Sequence, residues 1–141
     1  MTLYLDTSLL VGALTKEAKT DRIHRWLREQ AAKTLAVSDW VIAEFSAALS
    51  LKVRSRQLTA ANRADALATF SRWADESLGL LAISSLQFRT AARFADQYAL
   101  GLRAGDALHL AICADHGVTL CTLDRDLGKA GPALGVKTVL L

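Results

Sequence analysis

Two rhythms of hydrophobic positions alternate along this chain of 141 residues. Short unbroken apolar stretches fall at Thr2 to Leu5, Thr34 to Val37, Leu80 to Ile83, Val118 to Leu123 and Val136 to Leu141. Runs of that length without polar alternation fit strands covered on both faces, the condition of a parallel sheet. Between them apolar residues recur every three or four positions, which marks helices with one buried face.

The helices can be followed one by one. Ser8 to Leu14 follows the first strand, with Thr7 or Ser8 available as its cap. Thr20 to Ala32 places Ile23, Trp26 and Leu27 on one side and Arg22, Arg25, Arg28 and Glu29 on the other. Ser38-Asp39 offers the cap for a helix with the stripe Val41, Ile42, Phe45, Ala48 and Leu49, and Glu44 lies beside that stripe. Thr59 to Leu78 repeats the pattern with Ala64, Leu67, Ala68, Phe70 and Trp73 and is ended by Gly79. Ser84 or Ser85 caps a helix through Tyr98 that carries Phe88, Ala91, Ala92 and Ala95; Gly101 breaks it before Ala104 to His116, which Gly117 closes. A glycine-rich turn region joins Asp124 to the last strand. Strands alternating with helices in this way describe a single α/β domain over residues 1–141, with helices on both faces of a parallel sheet. Such sheets bind ligands beyond the carboxyl ends of their strands, where strand order reverses.

Composition narrows the classes. The chain is long enough to bury a core without disulfides. Its apolar runs fall well short of the roughly 20 residues that span a bilayer, so no membrane association is expected. No basic, apolar and small-residue leader is visible, which places the protein in the cytoplasm. Cys113 and Cys121 sit among apolar neighbours and read as core residues. A net charge of +3 and a pI near 9.1 favour a polyanionic partner. The clusters Arg22, Arg25, Arg28 and Lys52, Arg54, Arg56 could meet phosphates, or simply be solvated charge. The helices of Trp26, Trp40 and Trp73 could offer surface for a second copy or another protein, or the tryptophans could be core.

The acids change the picture more. Asp6 and Asp124 each follow a strand at its carboxyl end, while Glu44 and Asp106 stand in helices with apolar neighbours. Taken singly, Asp6 reads as a helix cap, Asp106 as an acid favoured by a helix dipole and Asp124 as a turn residue. Glu44 has no comparable structural role. Gathered together, four carboxylates raise one another's pKa and resist burial unless a cation compensates them. Oxygen-only ligands select a hard ion, Mg²⁺ with Mn²⁺ as substitute. Such an ion suits phosphodiester hydrolysis, where it polarises phosphoryl oxygens and activates water. Asp126, two residues past Asp124, is placed either to join this site or to cap the short helix that follows. Asp39 reads as a helix cap, His24 as a solvated helix residue and His116 as a helix-end residue.

The segments "YLDTSLLV", "SDWVIAEFSAAL", "GDALHLAICADHG" and "LCTLDRDL", in this order, resemble the PIN-domain nucleases, and most closely the VapC-type toxins of type II toxin–antitoxin pairs. The combination of "GDALHLA" with "TLDRDL" gives the resemblance its specificity. It implies a PIN-like three-layer α/β domain with a five-stranded parallel sheet in the order 3-2-1-4-5. It also implies a metal-dependent endoribonuclease acting on RNA, dimerisation, and inhibition by a small cognate antitoxin of the VapB type. The family's acidic positions fall on Asp6, Glu44, Asp106 and Asp124, and its hydroxyl positions on Thr7, Ser8 and Thr122. Those hydroxyls are expected to orient a carboxylate, a water or a phosphate, or to cap backbone groups.

His109 lies one turn after Asp106 and is expected to pack behind the acids rather than act as a base. Two other readings compete. A non-catalytic module could grip RNA or a partner protein through its basic surface. A haloacid-dehalogenase-type phosphatase would also place an aspartate after the first strand, yet Ser8 stands where its second aspartate belongs, and Leu110 where "GDxxxD" requires an acid.

Overall fold

Leu3–Leu5 (β1), three residues long and wholly buried, takes the centre of the sheet. A computed structural model describes residues 1–141. It sets β1 between Leu35–Ser38 (β2) and Thr119–Thr122 (β4), with Gly79–Leu81 (β3) outside β2 and Thr138–Leu140 (β5) outside β4. All pairings are parallel, so the α/β sheet has the order 3-2-1-4-5. Strand order therefore reverses between β1 and β4.

Seven α-helices flank the sheet: α1 (Thr7–Leu14), α2 (Thr20–Glu29), α3 (Asp39–Arg54), α4 (Ala60–Ser77), α5 (Ser85–Ala95), α6 (Ala104–His116) and α7 (Arg125–Ala133). Helix α1 packs against α2, α3 and α4; α5 lies along α6, and α7 against β4 and β5. None is long and apolar enough to cross a membrane.

Several ends differ from the sequence expectation, each for a physical reason. Asp6, not Thr7 or Ser8, caps α1, accepting from the Leu9 amide. Ser38 caps α3, which leaves Asp39 as an exposed first helical residue rather than the cap. Ser84 and Gln87 form a reciprocal capping box on α5. That helix stops at Ala95, and a 3₁₀ turn at Tyr98–Leu100 ends on Gly101, whose φ of 65° suits a residue without Cβ.

The short helix expected after Asp126 is α7, and it takes up most of the glycine-rich region read as a turn, from Arg125 to Ala133. Pro132 cannot donate to the Gly128 carbonyl one turn back, and the Thr138 hydroxyl serves that carbonyl instead at 2.8 Å. Gly131 is obligatory there, because a Cβ would lie 2.3 Å from Thr138 Cγ2. The tertiary contact therefore sustains a helix whose own sequence resists one.

The apolar stripes are narrower than their spacing suggests. Ile42 is exposed on α3, and on α4 Ala66 and Phe70 are buried while Ala64 and Ala68 face solvent. His24 is half-buried rather than solvated, its Nε2 donating to the Ala13 carbonyl at 2.6 Å and so tying α2 to α1. Trp26, Trp40 and Trp73 pack, partly buried, against the core.

The α3–α4 contact centres on an edge-to-face pair of Phe45 and Phe70, with ring centroids 4.7 Å apart. Phe45 is completely enclosed. Phe45→Ala should therefore destabilise the protein by about 3 to 5 kcal/mol through lost burial and the cavity left behind, measured as a lower midpoint in urea.

Candidate active site

The register between β1 and β4 brings the first acid to its partners. Leu5 lies opposite Cys121, and the Asp6 amide donates to the Cys121 carbonyl at 3.1 Å, so Asp6 and Thr122 end adjacent strands side by side. Asp6 is only 3% exposed. Its Oδ1 accepts from the Ser8 hydroxyl at 2.7 Å and the Leu9 amide at 3.0 Å, and its Oδ2 accepts from the Thr122 hydroxyl at 2.5 Å. The two hydroxyls are held in turn: Ser8 Oγ accepts from the Leu123 amide, and Thr122 Oγ1 from the Asp124 amide. Burial still raises the pKa of Asp6, against the opposing pull of Thr122, His109, Ser8 and the Leu9 amide.

Glu44 projects from the middle of α3 and is gripped from two sides. Its Oε1 accepts from the Thr7 hydroxyl at 2.7 Å and from His109 Nε2 at 2.5 Å. Burial opposes its ionisation, but the hydrogen bond and charge of His109, with the Thr7 hydroxyl, outweigh that cost and lower its pKa. Its Oε2 rests over Gly105, where a Cβ would approach to 3.0 Å and would also meet Trp40 at 3.3 Å.

His109 itself is buried on α6, as its place among apolar neighbours suggests. Its Nδ1 faces the Tyr4 hydroxyl at 2.9 Å, and that hydroxyl faces Ser38 Oγ at 2.8 Å. Burial pushes the Tyr4 phenol far above its ordinary pKa, so it remains a neutral hydroxyl.

Asp106, in the first turn of α6, is half-buried. Burial raises its pKa, the charge of Asp124 adds to the effect, and Glu44 and Asp6 push the same way while His109 partly offsets them. Asp124 ends the β4 side of the site and caps α7, its Oδ1 accepting from the amides of Asp126 and Leu127. Asp126 does not supply that cap; it is exposed in the first turn of α7.

No lysine or arginine pairs with any of the four acids. The ion pairs of the protein are Lys52 with Glu17 and His109 with Glu44. No three Asp, Glu, His or Cys side chains converge closely enough in this arrangement to hold a metal ion. The donor set nevertheless suits a hard divalent cation, being oxygen-only, mutually repelling and uncompensated by any lysine or arginine.

Elsewhere, Arg22, Arg25, Arg28, Arg54 and Arg56 are exposed, but Lys52 is committed to Glu17 at 2.8 Å and leaves its basic cluster. An apolar cavity of about 250 Å³ lies between α5 and α6 beside Trp40, reaching from exposed Phe88 to Gly105. Three residues around the acids escape the sequence reading: Tyr4, Ser38 and Gly105. Tyr4 looks like one more strand residue and Ser38 like a cap, while Gly105 inside a helical pattern, where glycine is costly, was the available signal.

The family model of the PIN domain matches residues 3–131, and the chain belongs to that family. Its fold is that of several solved structures. It is similar to Mycobacterium tuberculosis VapC20, described as a sarcin–ricin loop cleaving toxin, with TM-score 0.74 and 15% identity over 92% of this chain and 95% of that one. It is also similar to VapBC2 from Rickettsia felis bound to a DNA fragment from its promoter, with TM-score 0.71 and 15% identity over 100% and 99% of the two chains. VapBC-5 of M. tuberculosis, a member of the VapBC toxin–antitoxin family, aligns at TM-score 0.64 and 22% identity over the whole of both chains. No curated protein matches the chain in sequence.

Two outcomes follow from these electrostatics. In metal-free buffer at neutral pH, Asp106→Asn should raise the urea midpoint, because it removes a carboxylate that burial and Asp124 disfavour. A raised folded-state pKa means that stability falls as pH rises through it, so the gain should vanish in acid, where the wild-type carboxyl is protonated in both states. Burial also pushes the Cys121 thiol up to about 12 and that of Cys113 higher still. Neither cysteine should react with iodoacetamide at neutral pH until denaturant opens the core, as mass spectrometry would register.

Proposed function

We propose that the protein is a Mg²⁺-dependent endoribonuclease and the toxin of a type II toxin–antitoxin pair, built as one PIN domain over residues 1–141. The observation that supports this reading is electrostatic: the charges of Asp124, Glu44 and Asp6 all reach Asp106 near the strand-order reversal of a PIN sheet, and no lysine or arginine is set against the four acids. Asp6 and Asp106 are the principal metal ligands, with Glu44, Asp124 and Asp126 available to complete the set. When bound, the ion polarises the scissile phosphate and supplies a water nucleophile at neutral pH.

The chain's own groups do the remaining work. Ser8 and Thr122 fix both oxygens of Asp6, so that it meets the ion in one orientation. Thr7 and His109 engage a single oxygen of Glu44, leaving Oε2 for the site. Asp124 offers Oδ2 in the same way, since its Oδ1 caps α7. The exposed arginines of α2, together with Arg54 and Arg56, supply phosphate contacts for RNA.

The similarity to VapBC structures supports a small cognate antitoxin as partner. The exposed apolar residues Leu86, Phe88 and Tyr98 support a homodimer. The phosphatase alternative is weakened by Ser8, whose hydroxyl is bound to Asp6 and Leu123.

Purified protein should cleave RNA with Mg²⁺ or Mn²⁺ and stop when EDTA is added. Asp6→Asn and Asp106→Asn should reduce cleavage to background while circular dichroism stays that of the wild type. Salt-sensitive RNA binding with no cleavage under any divalent ion would replace this reading with a binding module. Robust cleavage by either variant would remove these acids from the chemistry.

A further inference from the structure

The hydrogen bonds behind Glu44 run further into the core than metal ligation or helix capping requires. Five polar side chains form one unbroken line. Ser38 Oγ, which receives the Val41 amide, meets Tyr4 Oη; Tyr4 Oη meets His109 Nδ1; His109 Nε2 meets Glu44 Oε1, which also receives the Thr7 hydroxyl. Tyr4, Ser38 and His109 are buried, so none can take its hydrogen bonds from solvent.

The donors and acceptors allow one orientation of the ring. Glu44, ionised, can only accept, so His109 Nε2 must carry a proton toward it. Nδ1 then needs a partner of its own, and the Tyr4 hydroxyl is the group it faces. That hydroxyl donates to Nδ1 when the ring is neutral. When the ring is charged it accepts from Nδ1 and donates to Ser38. With the ring neutral, Ser38 donates to the Tyr4 hydroxyl and every donor and acceptor in the line is met; with the ring charged, the Ser38 proton has no acceptor in the line.

Tyr4 lies on β1, Ser38 at the junction of β2 and α3, and His109 on α6. The line therefore joins the central strand to both helices that carry Glu44 and Asp106.

We propose that Tyr4, seated on Ser38, is a positioning residue for the reaction: it holds the His109 ring with Nε2–H toward Glu44 and thereby fixes the Glu44 carboxylate at the edge of the site. Groups that hydrogen-bond a metal-binding side chain from behind commonly contribute ~10–100-fold in metal affinity or activity. Tyr4 acts at one further remove, through a histidine and a glutamate, without touching the substrate. The kinetic consequence rests on the nuclease reading; the placement of the ring does not.

The experiment is ¹H–¹⁵N NMR of the imidazoles in wild-type protein and Tyr4→Phe, without metal, paired with cleavage kinetics in Mg²⁺. In the wild type, His109 should show a sheltered Nε2–H resonance, slow to exchange with water. Tyr4→Phe leaves Nδ1 without a partner and frees the ring to turn, so that resonance should broaden or lose its protection from exchange. In the kinetics, kcat should fall roughly tenfold with KM little changed, in protein whose circular dichroism and urea midpoint show it fully folded under the assay conditions, because an unfolded fraction would lower apparent kcat in the same way.

An unchanged Nε2–H resonance, or kcat at the wild-type value, would overturn the proposal. If Tyr4→Phe does not fold, Ser38→Ala, which removes the seat of the phenol together with the side-chain cap of α3, should move the same resonance; no movement counts against the proposal equally. Should wild-type protein cleave no RNA at all, the nuclease reading fails, and the imidazole spectrum alone decides whether Tyr4 places His109.

Discussion

A carboxylate almost out of reach of water, at the end of the central strand, constrains everything around Asp6. Its charge is tolerable only if every lone pair facing the protein is met, and the donors come from both directions along the chain. Ser8 and Leu9 reach back from the first turn of α1, while Thr122 reaches across from β4. Those demands fix the β1–β4 register, the start of α1 and the exit of β4 at once. A slip of one residue between the strands would turn Thr122 away from Asp6.

The other acids show the same economy. Glu44 and Asp124 each spend one oxygen on the scaffold, the first on Thr7 and His109, the second on the amides of α7. Asp106 sits against the charges of its neighbours, raised in pKa by burial and by Asp124. The cluster thus keeps a repulsion that a purely structural arrangement would have relieved with a lysine or an arginine. Regions where local consistency is sacrificed in this way are where chemistry is usually found.

Much of this arrangement was legible in the residues. Strand–helix alternation reported a parallel sheet, because burial on both faces writes itself as uninterrupted apolar runs, and the four acids stood out against apolar neighbours. Boundaries and faces were less legible. Helix α7 contains three glycine or proline residues within Gly128–Pro132, and the Thr138 hydroxyl, supplied from β5, meets the carbonyl that Pro132 leaves without a donor. Ile42 and Ala64 have the spacing of a buried stripe, yet periodicity reports a face and not how wide a neighbour covers it. The role of Tyr4 and the bond of Ser38 to it were invisible for another reason. Both lie in contacts between residues up to 105 positions apart, which no local pattern records.

The tie between Thr122 and Asp6 joins residues 116 positions apart. Closing so long a loop is among the later events in folding, since its entropy is offset only once intervening contacts have formed. On a ribosome, β1 emerges first and waits for β4, leaving Asp6 without its second oxygen's partner until nearly the whole chain has been made. Asp6 and Asp124 can therefore take their places at the ends of adjacent strands only after β4 has been made.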